Sequence, residues 1–329
     1  MENADAPLMI NGTVYNEMKG ALGNISTASL YNVLDALYPG SIQANISGGN
    51  PDEISKLTYE QVIKTHQNYY HPSNSLMILY GNVDYTRFLK MIDEEYLQDF
   101  DKKDIQIDYG VIEPLQQKTE STYKFPVAAN SNATNAAQIN YAYALTDLQE
   151  EELIGLSILA SVLSQPSSAL QKAFREKQMG GSLSVSLIDS FVQPVLVFSA
   201  ENANEDKKIE FKELVDNAIK DLVDNGCDKD LVKATLSAVL LSYSNLTEAG
   251  NLGVNLSMSI SVMWANADSI NFYSNLLKYI NSISEKVDDN YLENLAAKYI
   301  QNNNHAALVT TVPEPGLAEL LAEQHKAYL

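Results

Sequence analysis

The sequence is poor in the residues that build several common kinds of site. It has one cysteine, Cys227, in 329 residues, which excludes an intramolecular disulfide and any zinc site made of several thiolates. Placed after Gly226 near a helix start, Cys227 reads as a small structural residue rather than a catalytic thiol. Basic residues are few: 22 Lys and Arg stand against 42 Asp and Glu, a formal charge of −20. Such a surface repels polyanions, so nucleic acid is a poor partner and a cationic peptide a better one. The longest apolar stretches, such as Leu153 to Leu163, fall short of the roughly 20 residues that cross a bilayer, and no membrane association is expected. The opening residues Met1-Glu2-Asn3-Ala4-Asp5 carry no basic region followed by an apolar core, so no secretory signal is read there and a cytoplasmic protein is expected. Also missing are H-E-x-x-H, H-x-x-E-H, G-x-S-x-G and the phosphate-cradling G-x-x-x-x-G-K. By motif alone the chain is not a complete enzyme.

What is present organises into two parts. At about 150 residues per domain, the length allows two domains, or one large domain with a piece of another. In the first hundred residues, Ser29 to Leu37 sets Leu30, Val33, Leu34 and Leu37 on one helical face before Pro39-Gly40. Thr58 and Gln61 have the capping-box spacing ahead of a helix that Pro72 stops. Ser75 to Tyr80 reads as a short strand, and Asp84 caps a helix carrying Phe88, Leu89 and Ile92. Residues 101–118 show no sustained period and read as a linker. The pattern then restarts: strands at 121–127 and 137–145, helices at 150–163 and 167–178, a strand pair at 183–188 and 195–200, and long helices at 205–223 and 229–243. Two or three further helices cover 250–301, and a strand at 306–312 precedes Pro313. This order lacks the strict alternation of a doubly wound parallel sheet. It predicts an α+β fold, an antiparallel sheet with helices packed on one face. Residues 1–100 then form a partial domain, 119–313 a complete one, and 314–329 the first turns of another helix.

Candidate chemistry is sparse. His66 and His71 are five residues apart, roughly 140° around a helix, so one ion is not easily gripped by both; His71, before Pro72, is expected to cap the end of its helix. His305 and His325 stand in polar surroundings and are expected to be solvated. Gly48-Gly49 and Gly180-Gly181 read as turns or hinges. Glu150-Glu151-Glu152 is the ordinary placement of acids at a helix start, on a solvated face. Glu17 sits in Thr13-Val14-Tyr15-Asn16-Glu17-Met18-Lys19-Gly20. From residue type alone it is most simply an exposed helix residue; facing inward it would need a cation or a donor, because an unpaired buried carboxylate is costly.

The ordered blocks Val14-Tyr15-Asn16-Glu17-Met18-Lys19-Gly20-Ala21, Ser47-Gly48-Gly49-Asn50-Pro51 with Leu57-Thr58, Tyr69-Tyr70-His71-Pro72-Ser73-Asn74 and Tyr80-Gly81-Asn82 resemble the presequence-protease branch of the pitrilysin/insulinase zinc peptidases, the inverzincins. Leu170-Gln171-Lys172-Ala173-Phe174-Arg175-Glu176 leading to Gly180-Gly181 is similar to that family's second domain, so the resemblance covers about residues 8 to 313. Asn50 replaces the acid usual in the family's Gly-Gly-Asp-Pro block. The resemblance implies a pitrilysin/processing-peptidase-like fold and a Zn2+ held by two histidines of an H-x-x-E-H helix and a later glutamate, here Glu17. The general base and both histidines belong well upstream, and only 16 residues precede Glu17, so this chain is expected to be an inactive fragment without catalytic residues of its own. Its implied partners are unstructured basic peptides, the missing N-terminal part, and the C-terminal half of the same protein, joined through a helical hairpin that begins near residue 314. The acidity suits a chamber attracting basic peptides, and solubility explains it equally. Two functions follow: a piece of a zinc endopeptidase that degrades short peptides in a closed chamber, or a non-catalytic peptide-binding or structural homologue. An H-x-x-E-H upstream of Met1 separates them.

Overall fold

The computed structural model describes residues 10–245, 250–267 and 269–328. The elements in chain order are α1 (Thr13–Leu22), α2 (Ile25–Leu37), α3 (Pro51–Ile54), α4 (Tyr59–Tyr69), α5 (Tyr85–Glu95), β1 (Thr119–Val127), β2 (Ala137–Ala144), α6 (Glu150–Ser164), α7 (Ala169–Glu176), β3 (Ser182–Ile188), β4 (Val195–Ala203), α8 (Lys208–Asn225), α9 (Lys229–Ser244), α10 (Leu252–Ala267), α11 (Phe272–Glu285), α12 (Tyr291–Ala296), β5 (Ala306–Pro315) and α13 (Leu317–Tyr328). The fold is α+β, with one five-stranded sheet in the order β1-β5-β2-β4-β3. Three neighbouring pairs are antiparallel, while β1 and β5 run parallel, Thr119 opposite Ala307. The expected all-antiparallel sheet is corrected there: β1 and β5 are linked by nearly the whole domain, so no turn length dictates their direction.

Alternation along the strands builds two cores. Ile139, Tyr141 and Tyr143 of β2, Leu196 and Phe198 of β4 and Leu308 of β5 face the main core, packed with α6, α8 and α12 through Leu156, Leu159, Phe211, Val215 and Leu295. The other face is not bare. Ala142, Ala144, Val195, Val197, Ala307 and Val309 meet Val33, Leu34 and Leu37 of α2 and Tyr38 beyond it. Small residues at 142, 144 and 307 let the helix lie close, and every residue of β2 is buried. Helices on one face are therefore a property of residues 119–315, while α2 covers the second face. Toward its start α2 changes to polar contacts: Ser29 Oγ accepts from Asn140 Nδ2 (2.6 Å) and Thr311 Oγ1 (3.0 Å), and Gln138 Nε2 donates to Ser26 Oγ (2.9 Å).

Residues 101–118 are extended, without helix or strand up to Lys118. They are pinned at several places, the Lys103 N–H donating to Ser73 Oγ (3.0 Å) among them. Gln193 accepts the Ile112 N–H (3.0 Å) and donates Nε2–H to the Ile112 carbonyl (3.0 Å), while Gln43 donates to Gly110 O (3.0 Å). Gly110 (φ +63°) is required there, since a Cβ would stand 2.6 Å from Ile42.

Local signals place several elements as read. Thr58 and Gln61 form the reciprocal capping box of α4, and Asp84 accepts the Arg87 N–H at the start of α5 (3.1 Å). Ser75 to Tyr80, read as a strand, is extended but unpaired among the described residues. α4 and α5 bury no residue, leaving Tyr59, Val62, Phe88 and Leu89 exposed. The helical stretch Glu150–Glu176, long and apolar enough to be weighed as a membrane span, has more than half of its apolar window buried in the protein. It is α6 and α7, the latter capped by Ser168, in the role of core helices. The sheet edge at β3 is also covered: Ser164 Oγ bonds both N–H and C=O of Val185, and Gln171 Nε2 donates to Leu183 O (2.9 Å). Met1 to Asp5 and Leu329 lie outside the described residues, as does the side chain of His325.

Candidate functional site

Glu17 lies in the second turn of α1, with Asn16 and Lys19 also exposed and Tyr15 and Met18 on the buried side. The spacing 15, 18 puts both anchors on one helical face and leaves Glu17 off it. Met18 fixes the helix against the loop before α3, where Gly48 has φ +86° and a Cβ would stand 2.5 Å from the Met18 Sδ. Only glycine combines that backbone with that approach, which gives Gly48 of the Gly-Gly turn a packing role. Glu17 thus offers one solvent-facing carboxylate from a clamped helix.

One carboxylate does not hold a zinc ion, which takes three protein donors even in open sites. Among the described residues no three His, Cys, Asp or Glu side chains come together as metal ligands. This chain's own residues therefore do not fit zinc by themselves. A cavity of about 280 Å³ at the end of the sheet, lined by Leu145, Asp147, Glu150, Leu153, Met263 and Phe272 among others, does not include Glu17.

The described histidines stay apart. His66 stacks on Tyr70 (4.6 Å between rings). His71 does not cap the end of α4; its Nδ1 accepts the Ser73 N–H (3.1 Å), starting the turn at Pro72, and its ring meets Phe100 edge-on. Proline at 72 has already ended the helix, so the imidazole serves the next turn. His305 is not solvated: it is 1% exposed, with Nε2–H donating to Leu37 O (2.7 Å) and Nδ1 without a partner. Burial pushes its pKa below the ordinary histidine value, against the pull of the Leu37 bond. The polar neighbours Asn303 and Asn304 concealed a residue that joins β5 to the end of α2.

Glu150, Glu151 and Glu152 do begin α6, but they are not on a solvated face. Glu150 accepts from Ser269 and Tyr279 (2.5 Å each), Glu151 pairs with Lys286, and Glu152 accepts from Lys298 (2.8 Å) and Tyr299 (2.9 Å). They tie α6 to the 269–299 helices. Cys227 is structural: its N–H and its Sγ–H both donate to Glu293 Oε1 (2.9 Å each). Burial first, then the Glu293 carboxylate, push the thiol up to about 12, so it is no nucleophile at neutral pH.

Comparisons with known proteins add the family context. Residues 56–239 match the family described as "Peptidase M16 inactive domain"; Glu17 precedes the matched span. Protein HypA of Clostridium perfringens is 32% identical over 333 residues, covering 100% of this chain and 34% of that protein. The mitochondrial presequence protease of Drosophila melanogaster is 29% identical, covering 95% of this chain and 31% of its own length. The chain thus spans about a third of the length of the curated relatives it matches. Among solved structures, a protease from Helicobacter pylori superposes with a TM-score of 0.71 at 16% identity, over 91% of this chain and 70% of that one. A peptidase M16 inactive domain from Pseudomonas fluorescens gives 0.68 at 13% identity, over 92% and 69%. At such identities these two structures show likeness of fold.

Proposed function

The chain belongs to the M16 family of zinc metallopeptidases, the pitrilysin/insulinase group, and we propose that it is the part of a zinc endopeptidase that contributes Glu17 as a metal ligand and one wall of a peptide-degrading chamber. The observation that carries this reading is the placement of Glu17: a free carboxylate held outward on a helix that Tyr15 and Met18 clamp to the body. A helix clamped on its other face holds that carboxylate in one position, as a ligand supplied to a site completed by other residues needs.

The exposed apolar side chains of residues 57–111 support the same reading. Leu57, Val62, Met77, Tyr80, Phe88 and Leu89 are all open, and α4 and α5 are amphipathic helices that bury nothing. A surface of that kind calls for a cover. We assign the cover to the preceding part of the same polypeptide, which on this reading also carries both histidines and the general base, leaving residues 119–315 as the non-catalytic second domain. The substrates are short, unstructured, basic peptides, drawn by the charge of −20 and enclosed with the C-terminal half of the protein. The compartment proposed is the cytoplasm.

The non-catalytic alternative draws on the family description of the matched span as inactive. Cleavage of an unstructured basic peptide by the whole polypeptide, assayed with zinc and with a chelator, separates the two. Chelator-sensitive cleavage that Glu17→Ala abolishes is expected; peptide binding without cleavage supports the alternative and overturns the enzyme reading.

A further inference from the structure

Asn11 and Asn225 each stand directly before a glycine, Gly12 and Gly226. Asparagine is a thermally labile residue, and most so before glycine, where no Cβ hinders attack of the next main-chain nitrogen on the side-chain amide. The fold treats the two pairs differently. Asn225 ends α8: its Nδ2 donates to Asp221 Oδ1 (2.6 Å), and the Gly226 N–H donates to Leu222 O (3.0 Å). The nitrogen that would attack and the amine that would leave are both tied there. Asn11 is exposed ahead of α1, and among the described residues neither its Nδ2 nor the Gly12 N–H donates a hydrogen bond. What is held at this pair is the acceptor side. Asn16 Nδ2 donates to Asn11 Oδ1 (2.8 Å), and the Asn16 N–H donates to Gly12 O (2.8 Å).

We propose that Asn11 is a site of spontaneous deamidation, with water as the only co-reactant, and that the fold protects Asn225 from the same reaction. Two features support this. The Gly12 nitrogen is open to solvent bases, and its fixed carbonyl turns it toward the side of the chain that precedes the helix. The Asn16 amide already sits on the oxygen where negative charge builds as the nitrogen attacks, so it polarises the Asn11 carbonyl toward reaction.

The reaction balances without an oxidant or a metal. The Gly12 N–H gives its proton to hydroxide, the nitrogen attacks Asn11 Cγ, and a C–N bond closes a five-membered ring. The bond from Cγ to Nδ2 breaks, and ammonia leaves with the electron pair and a proton from water. Water then opens the ring. Attack at the main-chain carbonyl gives an isoaspartyl link, and attack at Cγ gives aspartate. Either product sets a carboxylate at the positive end of the α1 dipole, within reach of the Asn16 amide. The isoaspartyl product also adds a methylene to the main chain at the entry to the helix that carries Glu17.

The test is incubation of the full chain at mildly alkaline pH, folded and in urea, with conversion at each pair read by peptide mass spectrometry and isoaspartyl content. It needs no zinc. In the folded chain Asn11 should be converted at least about fivefold faster than Asn225, and in urea, where both pairs are free, the ratio should approach unity. Gly12→Ala is a clean variant, because Gly12 is extended (φ −161°) and a Cβ would lie 3.7 Å from the Tyr15 Cβ, an ordinary contact. It should slow conversion of Asn11 at least about fivefold and leave the melting curve in place. Asn16→Ala keeps Gly12 but removes the donor to Oδ1, and should also slow the reaction. A folded-chain ratio at or below unity would overturn the proposal, as would a ratio in urea as large as in the folded chain. An Asn16→Ala rate equal to or above the native one would overturn the part given to Asn16.

Discussion

Replacing Leu34 by alanine tests whether α2 belongs to the core of the sheet that follows it more than eighty residues later. Leu34 is 0% exposed and packs in the cluster formed with Ala142, Ala144, Val197 and Ala307. Truncation removes the apolar contact of a fully buried leucine and leaves a cavity. The opposite wall consists of alanine and valine on hydrogen-bonded strands, which cannot reach across to fill the hole. The loss should therefore fall in the middle of the range for buried leucines or above it, at least about 3 to 4 kcal/mol. At a urea slope of about 3 kcal/mol/M, that lowers the unfolding midpoint by about 1 M. Leu89→Ala on α5 is the matched control: Leu89 is 63% exposed, and its loss should change stability by about 0.5 kcal/mol or less. Both are read by far-UV circular dichroism in urea. If Leu34→Ala shifts the midpoint no more than Leu89→Ala, α2 is not part of the sheet's core and the route from α1 to the second domain is wrong.

Other perturbations give distinct outcomes. His305 is held below its ordinary pKa by burial, so between the folded value and the unfolded one near 6.5 the unfolded chain binds the extra proton. Its contribution to stability is complete above about pH 6.5, begins to be lost as the pH drops below that, and is gone once the pH has passed through the folded value. His305→Asn should flatten the fall in melting temperature between about pH 7 and pH 5 relative to the native chain, and an unchanged fall would contradict the assignment. The Cys227 thiol should react slowly with a disulfide reagent at about pH 8, and Glu293→Gln should speed the reaction by removing the charge that holds the proton; equal rates would show that the Glu293 bond does not govern the thiol. Gly48→Ala should cost about 1 to 3 kcal/mol, from strain at φ +86° and from contact with Met18, and should quicken proteolysis within α1. Gly40→Ala, at φ +74° with nothing near a Cβ, should carry the strain alone and leave α1 as protected as before.

Features set by neighbours in sequence were legible. Thr58 with Gln61 fixes the start of α4, Asp84 the start of α5, and the 30, 33, 34, 37 spacing fixes α2. Features set by distant partners were not. Nothing near Thr119 announces a parallel neighbour at Ala307. Alternation in β2 marks one apolar face, but Asn140, Ala142 and Ala144 are also buried because α2 covers them. Asparagines beside His305 suggested solvent, while its actual neighbours are Leu37 and Tyr38. Glu150 to Glu152 look like any acidic first turn until Tyr279, Lys286 and Lys298 arrive from more than a hundred residues away. For Glu17, the sequence supplied the block that resembles a zinc ligand's setting. The structure adds the clamp through Tyr15, Met18 and Gly48 that holds the side chain outward.

The most direct test of that assignment is the zinc content of the whole polypeptide, native and Glu17→Gln, after dialysis against a range of free zinc concentrations. The account predicts tight, stoichiometric zinc in the native protein and a loss of affinity of at least about tenfold in the variant, with the melting curve of the second domain unchanged. Equal zinc affinity in the two proteins would contradict it.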